Sequence, residues 1–481
     1  MKLLKTTFGT MLLATVLFPG ASLLRAQQDE PPPTPQDEPK PAARSNPLSG
    51  GQDENQENPE VDPNALQADY TPLTGMQNAT LGIPEIRHSY WVPGFQYGAN
   101  IQSNNYSQPN SSGWYVDNYL AANVSLLEAW SRDTLTVNYS GGAYLSSNSA
   151  NGNSQYQQFA ASNVYRGTRW MVQLFENFSY LPQTSFGFGG GTNLGVPGVG
   201  GVGPVVPGAG NGYIPNQSIY AGLGPRYSNF GGLQATYYLS RRSSITVSGA
   251  DGILHFLDPG NIDTDSIIAT VGYNYALSRE DTIGVVYAFS SYHYPGVPQA
   301  FGNHTASVAY GRKITGRLAM RLMAGPQITT FRVPVGNQSQ QISAYFNASL
   351  DYGLKNGSIA LTYVHSLNGG SGVVIGSSLD QINATATRRL TRLWSGNLNF
   401  GFAHNGTVNS GVTSVPTYNS YYFGGGATRP FGRYMNMAVA YTGSYGTSSN
   451  PGCVGTGCNP SNFYNTITVN FQLHTRPFIL P

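Results

Sequence analysis

The stretch "DTLTVNYSGGAYLSS", residues Asp133 to Ser147, alternates apolar and polar side chains with a period of two. One side carries Leu135, Val137, Tyr139, Gly141, Ala143 and Leu145, and the other carries Thr134, Thr136, Asn138, Ser140, Gly142 and Tyr144. Successive side chains of a β-strand point to opposite faces, so this pattern predicts a strand. A soluble sandwich buries its apolar face in a core, whereas a membrane barrel turns that face towards lipid. The fold therefore depends on which of these surroundings the apolar face meets.

The composition is unusual for a soluble protein of this length. Charged residues make up 10% of the 481 residues, against about 25% in an average globular protein. The mean hydropathy is -0.25, and no apolar run reaches the roughly 18 residues that a transmembrane helix needs. The chain is rich in Gly (59) and Tyr (32), which fits a transmembrane β-barrel with a polar interior and an apolar exterior. A net charge of +2 does not indicate nucleic-acid binding.

The first 26 residues have the pattern of a secretory signal peptide. Lys2 and Lys5 form a charged start, residues 8–18 form a short apolar segment, and a cleavage site follows at Ala26. The chain is therefore predicted to be exported, with residues 1–26 removed.

Residues 27–69 form a Pro-rich arm that is dense in acidic residues, Gln and Asn. Such a segment cannot bury enough apolar surface to offset its ordering entropy, so we expect a disordered periplasmic linker. The arm is either a spacer or a segment that contacts the cell wall or a periplasmic partner. Residues 70–90 are less polar and either lie in the barrel mouth or fold as a small plug.

From residue 91 onward, two kinds of connection separate the alternating segments. One kind is short and basic, such as "SRRS" from Ser240 and "RPFGR" from Arg429. The other is longer and rich in Gly, Asn, Ser and Pro, such as "NGGSGVVIGSS" from Asn368. The two kinds take turns, as expected for a barrel with short turns on one rim and long loops on the other. Counting the segments predicts about 18 strands, with 16 as the alternative, and places the N-terminal arm and the C-terminus in the periplasm.

The two faces of the predicted strands differ in polarity, and neither carries many charges. Apolar faces read Ile283/Val285/Tyr287/Phe289, Ile342/Ala344/Phe346/Ala348/Leu350, Leu398/Phe400/Phe402 and Ile467/Val469/Phe471/Leu473. The opposite faces read Gln341/Ser343/Tyr345/Asn347/Ser349 and Thr466/Thr468/Asn470/Gln472. A soluble protein would place Lys and Glu on its solvent face. We therefore predict that the apolar face meets lipid and that the uncharged polar face lines water.

This pattern over residues 91–481 resembles the bacterial outer-membrane β-barrels of porin-like size. The last segment, "YNTITVNFQL" from Tyr464, is similar to the aromatic-ended terminal strand that the barrel-assembly machinery reads, although the chain continues with "HTRPFILP". The resemblance implies an all-β fold, a transmembrane antiparallel up-and-down β-barrel in the bacterial outer membrane. It also implies outer-membrane lipids and the barrel-assembly machinery as partners. It is a resemblance of pattern and points to no specific family.

A barrel of this strand number is too wide for side chains to fill, so an aqueous channel is expected. The candidate pore-lining residues are Tyr115, Asp117, Tyr119, Asn138, Tyr144, Arg321, Tyr345, Asn347 and Asp351. Their few charges form no ring of one sign, which charge selectivity requires. We therefore predict passive diffusion of small neutral or mildly polar solutes with weak charge selectivity. The alternative is a non-conducting outer-membrane scaffold or surface-interaction barrel.

The glycine-rich segment from Phe186 to Gly212 is the longest predicted external loop. It contains a G-x-G-x-x-G at Gly198, Gly200 and Gly203, but prolines follow where a dinucleotide site needs a helix. We therefore predict no cofactor here and treat the loop, marked by Phe186, Gly200 and Gly212, as a candidate constriction. It either folds into the pore or lies outside.

The two cysteines, Cys453 and Cys458, are separated by four residues in the last predicted external loop. An exported chain oxidises such a pair, so we predict a disulfide that closes this loop. The neighbourhood contains no further Cys or His for a metal site. The sequence also lacks a nucleophile motif such as G-x-S-x-G, so we predict that the protein is not an enzyme.

Two acidic residues, Glu176 and Asp251, fall on the lipid side by strict alternation. A charge in contact with lipid is destabilising. Either a bulge shifts the register, which Gly249 and Gly252 favour for Asp251, or these strands form a contact face with a neighbouring subunit. The sequence leaves the oligomeric state open.

Overall fold

The structure of the protein is a computed structural model that describes residues 89–103, 114–147, 153–181, 225–257, 259, 261–335, 338–369, 375–408, 417–432, 434–449, 461–476 and 478–479. Its strands are β1 (Tyr90–Ser103), β2 (Trp114–Ala129), β3 (Asp133–Ser146), β4 (Ser154–Arg166), β5 (Trp170–Leu181), β6 (Arg226–Tyr238), β7 (Ser243–Phe256), β8 (Thr264–Ala276), β9 (Asp281–His293), β10 (Ala300–Thr315), β11 (Leu318–Val335), β12 (Gln338–Leu354), β13 (Gly357–Asn368), β14 (Ser377–Arg389), β15 (Ser395–Thr407), β16 (Thr417–Phe431), β17 (Met435–Ser449), β18 (Ser461–His474) and β19 (Phe478–Ile479). Among these residues no helix is long and apolar enough to cross a membrane.

The sheet closes on itself. Each strand from β1 to β17 pairs antiparallel with its successor, and β1 also pairs with β18 from Gly94↔His474 to Ser103↔Asn465. Closure satisfies the main-chain groups of both end strands, which an open sheet would leave exposed. The predicted antiparallel barrel of 18 strands is thus confirmed, and the alternative of 16 strands is wrong.

The segment after β18 returns to the first strand. The two residues of β19 pair with Tyr90 and Trp91 at the start of β1. The rings of Trp91 and Phe478 stack with their centroids 5.0 Å apart. The "HTRPFILP" extension therefore adds a short aromatic contact at the rim where β1 begins.

The connections are sorted by length between the two rims. Short ones join β2 to β3, β4 to β5, β6 to β7, β8 to β9, β10 to β11, β12 to β13, β14 to β15 and β16 to β17, at what we call the short-turn rim. The other rim carries connections such as residues 182–225 and 450–460. One connection differs, because β11 and β12 extend to within two residues of each other at the long-loop rim. There, longer strands take the place of a long loop.

Hydroxyl side chains explain why several of the short turns contain Ser or Thr near their start. Ser240 Oγ accepts hydrogen bonds from the backbone N–H groups of Arg242 and Ser243, both at 3.1 Å. Ser278 Oγ accepts from Glu280 and Asp281 in the same way, at 3.0 and 2.9 Å. Such local bonds satisfy N–H groups that a tight turn leaves without a strand partner. The recurring Ser-Arg sequences are therefore turn signals.

The outer face of the barrel is apolar along its middle. Ile342, Val285 and Ile267 are 77%, 58% and 58% exposed, and their neighbours in sequence point inwards. Exposed aliphatic surface costs about 25 cal/mol per Å² in water, so a band of it around a closed sheet requires lipid. The closed antiparallel sheet, the sorted connections and this apolar band make the chain a bacterial outer-membrane β-barrel of porin-like size.

Candidate functional site

The inner wall of the barrel is mainly neutral and polar. Buried side chains on the inward registers include Gln96, Asn100, Gln102, Thr134, Thr136, Gln173, Gln234, Thr236, Thr246, Asn274, Asn303, Thr329, Asn399, Asn405 and Gln472. Amides and hydroxyls donate and accept hydrogen bonds without carrying charge. The described part of the inner wall is therefore polar but largely uncharged.

All the candidate pore-lining residues occupy inward registers. Tyr115, Asp117, Tyr119, Asn138 and Tyr144 lie on β2 and β3, whereas Arg321, Tyr345, Asn347 and Asp351 lie on β11 and β12. Adjacent residues such as Leu120 and Ile342 are exposed on the outer face. The structure thus groups the candidates on two parts of the wall, and their contact with a solute stays a proposal.

Asp117 is held inside a hydrogen-bond network of the inner wall. Its Oδ2 accepts from Tyr144 Oη at 2.5 Å and from Gln102 Nε2 at 3.0 Å. Tyr115 Oη in turn donates to Gln102 Oε1 at 3.0 Å. The Asp117 side chain is 0% exposed, and bonds to a buried carboxylate are stronger than those between neutral groups. Asp117 therefore joins β1, β2 and β3 rather than standing free in the lumen.

Tyr119 lies next to this network and packs over a glycine. Its cross-strand partner on β1 is Gly98. A Cβ at Gly98 would overlap the phenol ring of Tyr119. Covering a strand glycine with a neighbouring aromatic ring restores the contacts that the missing side chain would make. The ring is consequently 1% exposed and packs with Ala121 and Tyr144.

Arg226, the first residue of β6, is an inward-facing charge that the sequence reasoning missed. It is 3% exposed, and its guanidinium carbon lies 5.8 Å from the centroid of the Phe256 ring. It shares a period-two register with Ser228 and Phe230, both of which are buried. This alternation could have placed Arg226 on the inward face. It was not used, because Arg226 directly follows the long glycine-rich connection and was assigned to that connection.

Away from the short-turn rim, the described charges on inward registers are of both signs. They are Asp117 on β2, Arg226 on β6, Arg321 on β11 and Asp351 on β12. Arg321 and Asp351 are diagonal neighbours, since Arg321 pairs with Ser349 two residues away from Asp351. The wall therefore carries dispersed, compensating charges, which do not make a ring of one sign.

The tip of the β13–β14 hairpin, defined here as residues 366–369 and 375–377, folds into the lumen. The β12–β13 ladder ends at Phe346↔His365, whereas the β13–β14 ladder continues to Asn368↔Ser377. The backbone N–H of Leu367 donates to Gln327 Oε1 on β11 at 3.3 Å. Its carbonyl accepts from Asn303 Nδ2 on β10 at 3.4 Å. The hairpin tip has thus left β12 and lies against the inner face of β10 and β11.

Beyond Leu367, the tip contacts a group of aromatic residues that we call the mouth cluster. It consists of Tyr292, Tyr294 and Phe301, with Ile262, Val297, Phe331 and Ile375 packed against it. Tyr294 Oη donates to the Gly369 carbonyl at 2.8 Å. Gly376 has a φ of +65°, and a Cβ there would lie 2.6 Å from the Phe301 ring, so this position requires glycine. The tip therefore spans from β13 to β9 inside the long-loop mouth.

The loop that the sequence reasoning chose as the constriction lies outside the described residues. This applies to Phe186, Gly200 and Gly212, and equally to the cysteine pair Cys453 and Cys458. The inward tip was missed because its connection, residues 369–376, is much shorter. The sequence contained one weak indication of the inward tip. By alternation in "YVHSLN", Leu367 would face outwards, yet a glycine-rich segment follows it directly.

Glu176 and Asp251 face outwards with no register shift. Pairing is continuous along β5–β6 and β6–β7, with Glu176 opposite Gly231 and Gly231 opposite Asp251. The bulge interpretation is therefore wrong, because the inward residues on either side, such as Phe175 and Ala250, keep their buried positions. The two carboxylates flank one glycine on the outer face, and a contact face remains the proposal for them.

The outer face also carries hydrogen-bonded histidines near the long-loop rim. His365 Nδ1 lies 2.7 Å from Asp380 Oδ1, and His404 Nδ1 lies 2.7 Å from Asn419 Oδ1. These four residues pair with one another across β13, β14, β15 and β16. Amphipathic side chains gather at membrane interfaces, so the row marks the outer boundary of the lipid band. Within the described residues, no group of three or more His, Cys, Asp or Glu could hold a metal ion.

Comparisons with known proteins give a distant structural likeness only. No family model matches the sequence, and no curated protein is significantly similar to it. Among solved structures, OpdQ of Pseudomonas aeruginosa is 8% identical, with a TM-score of 0.39 over 81% of this chain and 98% of that chain. The outer membrane protein OpdK of the same organism is 9% identical, with a TM-score of 0.40 over 80% and 99%. OccK2 in complex with glucuronate is 9% identical, with a TM-score of 0.42 over 81% and 98%. The fold assignment rests on the strand pairing described above.

Proposed function

We propose that the protein is a passive diffusion pore for small neutral or mildly polar solutes, with weak charge selectivity. The observation that carries this proposal is the chemistry of the inner wall, where amides and hydroxyls dominate and the charges are few and of both signs. Selectivity for ions of one sign needs rings of that sign. A neutral solute with hydroxyl or amide groups can exchange its water contacts for those of the wall at little cost.

We further propose that the β13–β14 tip sets the effective width of the pore. It lies inside the mouth, is held by Gln327, Asn303 and Tyr294, and touches the mouth cluster. The Phe186–Gly212 segment stays a second candidate for a constriction. Solutes would pass the tip along the remaining wall, where Tyr115, Asn138, Tyr345 and Asn347 are candidate contacts.

The arrangement along the chain completes this proposal. Residues 1–26 direct export, residues 27–69 form an arm beneath the membrane, and residues 70–90 form a plug or a mouth segment. The short-turn rim, from which β1 starts, then faces the periplasm together with the C-terminus. The arm would reach the cell wall or a periplasmic partner.

The test is single-channel conductance of the refolded full-length protein in a planar bilayer, beside a variant lacking residues 187–212. Steady openings with a reversal potential near zero in a KCl gradient are expected. A larger conductance in the deletion variant would make that loop a constriction, and an unchanged one would leave the β13–β14 tip as the narrowing element. The gel mobility of each protein is compared before and after boiling, because a folded barrel changes its mobility on boiling. If both the full-length protein and the deletion variant are folded by this criterion but neither conducts, the non-conducting scaffold is supported instead.

A further inference from the structure

The wall of the barrel is interrupted between β12 and β13 near the long-loop rim. Continuing their register beyond Phe346↔His365 would pair Tyr345 with Ser366 and Ala344 with Leu367. The ladder contains neither pair, because β13 turns into the lumen at that point. We call this place the β12–β13 seam. It lies directly beyond His365, at the level of the histidine row on the outer face.

Leu367 shows that the strand itself has turned. By alternation with Tyr363 and His365, its side chain would face lipid, yet it is 6% exposed. Both of its backbone polar groups are bonded to side chains of β10 and β11 instead of to the backbone of β12. β13 thus continues the wall only below the seam, whereas β11 and β12 stay paired with each other beyond it.

The β11–β12 hairpin also lacks two ladder pairs on its other side at this height. Pro326 is the partner of Ala344 on β11, and it has no N–H to donate. The β10–β11 ladder is interrupted there, between Thr305↔Gln327 and Val308↔Ala324. The seam therefore borders a hairpin that lacks ladder pairs on both sides at one level.

The surface of the barrel beside the seam is apolar on the lipid side. On the lumen side lie an apolar cluster and several polar atoms. Ile342, beside the seam, is the most exposed large hydrophobic residue of the described chain at 77%. Inside lies the mouth cluster with Phe331. On the inner face of β12, Gln341 Oε1 and Ser343 Oγ are buried and have no hydrogen-bond partner among the described residues. Buried polar atoms of this kind need a partner.

We infer that the β12–β13 seam is a side entrance between the outer leaflet and the mouth of the pore. It fits neutral solutes that combine a flat apolar ring with a hydrogen-bonding group. The ring would pass from lipid to the mouth cluster, and the polar group would bond Gln341 or Ser343. A charged solute is excluded from this route, because it does not dissolve in the lipid band. The inference rests on the membrane location in the proposed function but not on conduction of ions.

Photolabelling tests this entrance. The full-length protein is reconstituted in vesicles that contain benzophenone, a neutral photoreactive aromatic ketone, and labelled residues are mapped by mass spectrometry after irradiation. We expect labels on the mouth cluster, at Tyr292, Phe301 or Phe331. The variant Ala344→Trp places a large ring in the seam and should lose these labels. Ala348→Trp is the matched control, since Ala348 lies on the same outer face of β12, where it pairs with Tyr363 in the intact ladder, and it should keep them.

The other outcomes overturn the inference. Labels on the mouth cluster that persist in Ala344→Trp would mean that benzophenone arrives through the aqueous mouth. Labels confined to lipid-facing residues such as Leu398 would mean that no apolar solute reaches the cluster. A gel shift on boiling establishes that each variant is folded. Conductance is recorded in a separate experiment. If the folded barrel does not conduct but its mouth cluster is labelled, the diffusion pore is rejected and the side entrance is supported.

Discussion

Glu176 folds its carboxylate over Gly231, its cross-strand partner on the outer face of the barrel. Asp251 faces the same glycine from the next strand. Two carboxylates therefore meet the lipid band near the middle of their strands, where the absence of a side chain at Gly231 gives one of them room to lie flat. No bulge turns these carboxylates away from lipid. They therefore either lower the stability of the barrel or contact a neighbouring subunit.

We expect Asp251→Ala to stabilise the isolated barrel. An acidic side chain at mid-depth in lipid costs up to about 2 kcal/mol, and this cost falls towards the interfaces. The free energy of unfolding in urea, measured in lipid vesicles at neutral pH, should rise for Asp251→Ala. Asp133→Ala, at the short-turn end of β3, is the control and should change little.

The same variant also tests the contact face. If Glu176 and Asp251 contact a neighbouring subunit, chemical cross-linking of the wild-type protein in vesicles should trap a dimer or trimer. Asp251→Ala should then weaken this assembly rather than stabilise the protein. If both the wild-type protein and Asp251→Ala remain monomers after cross-linking, the contact face is rejected. The two carboxylates then only lower the stability of the barrel.

Tyr294→Phe is expected to loosen the β13–β14 tip. The change removes the 2.8 Å hydrogen bond to the Gly369 carbonyl, which contributes about 1 kcal/mol. Single-channel records should show a larger or more variable conductance. Tyr287→Phe is the matched control, because Tyr287 forms a 2.7 Å hydrogen bond with His304 on the outer face, away from the lumen. An equal effect of both variants would show that the tip does not narrow the pore.

Gly98→Ala should destabilise the barrel, because the added Cβ would displace the Tyr119 ring from its cross-strand position. Overpacking of this kind typically costs about 1–3 kcal/mol. Gly249→Ala provides the comparison, since the nearest atom to a Cβ there is the Ile268 carbonyl oxygen at 4.0 Å. The urea midpoints of the two variants measure the difference. Equal midpoints would mean that the packing of Tyr119 over Gly98 adds nothing.

The double variant Arg226→Gln/Arg321→Gln should move the pore towards cation preference. It leaves Asp117 and Asp351 as the inward charges that remain away from the short-turn rim, so the lining becomes acidic. The reversal potential in a KCl gradient should shift accordingly. Arg312→Gln serves as the control, because Arg312 is exposed on the outward register of β10, near Asp281, and does not line the lumen. A reversal potential that stays at the wild-type value would place the narrow part of the pore away from both arginines.

The sequence determined the local features of this protein. The period of two in "DTLTVNYSGGAYLSS" defines strand and faces together, because a residue's side of the pleat follows from its position alone. Turn residues such as Ser240 and Ser278 separate the strands by bonds within a few residues. The strand type, the count, the sorting of connections and the inward registers of residues such as Tyr119 and Arg321 were predictable for this reason.

The tertiary structure decided whatever depends on pairing between distant segments. That Glu176 and Asp251 flank Gly231 follows from the registers of three strands, which no single segment encodes. Leu367 breaks the alternation because Gln327 and Asn303, far away in sequence, bind its backbone. The inward position of the β13–β14 tip could not be predicted from loop length, because the position of a hairpin tip depends on which part of the wall satisfies its polar groups.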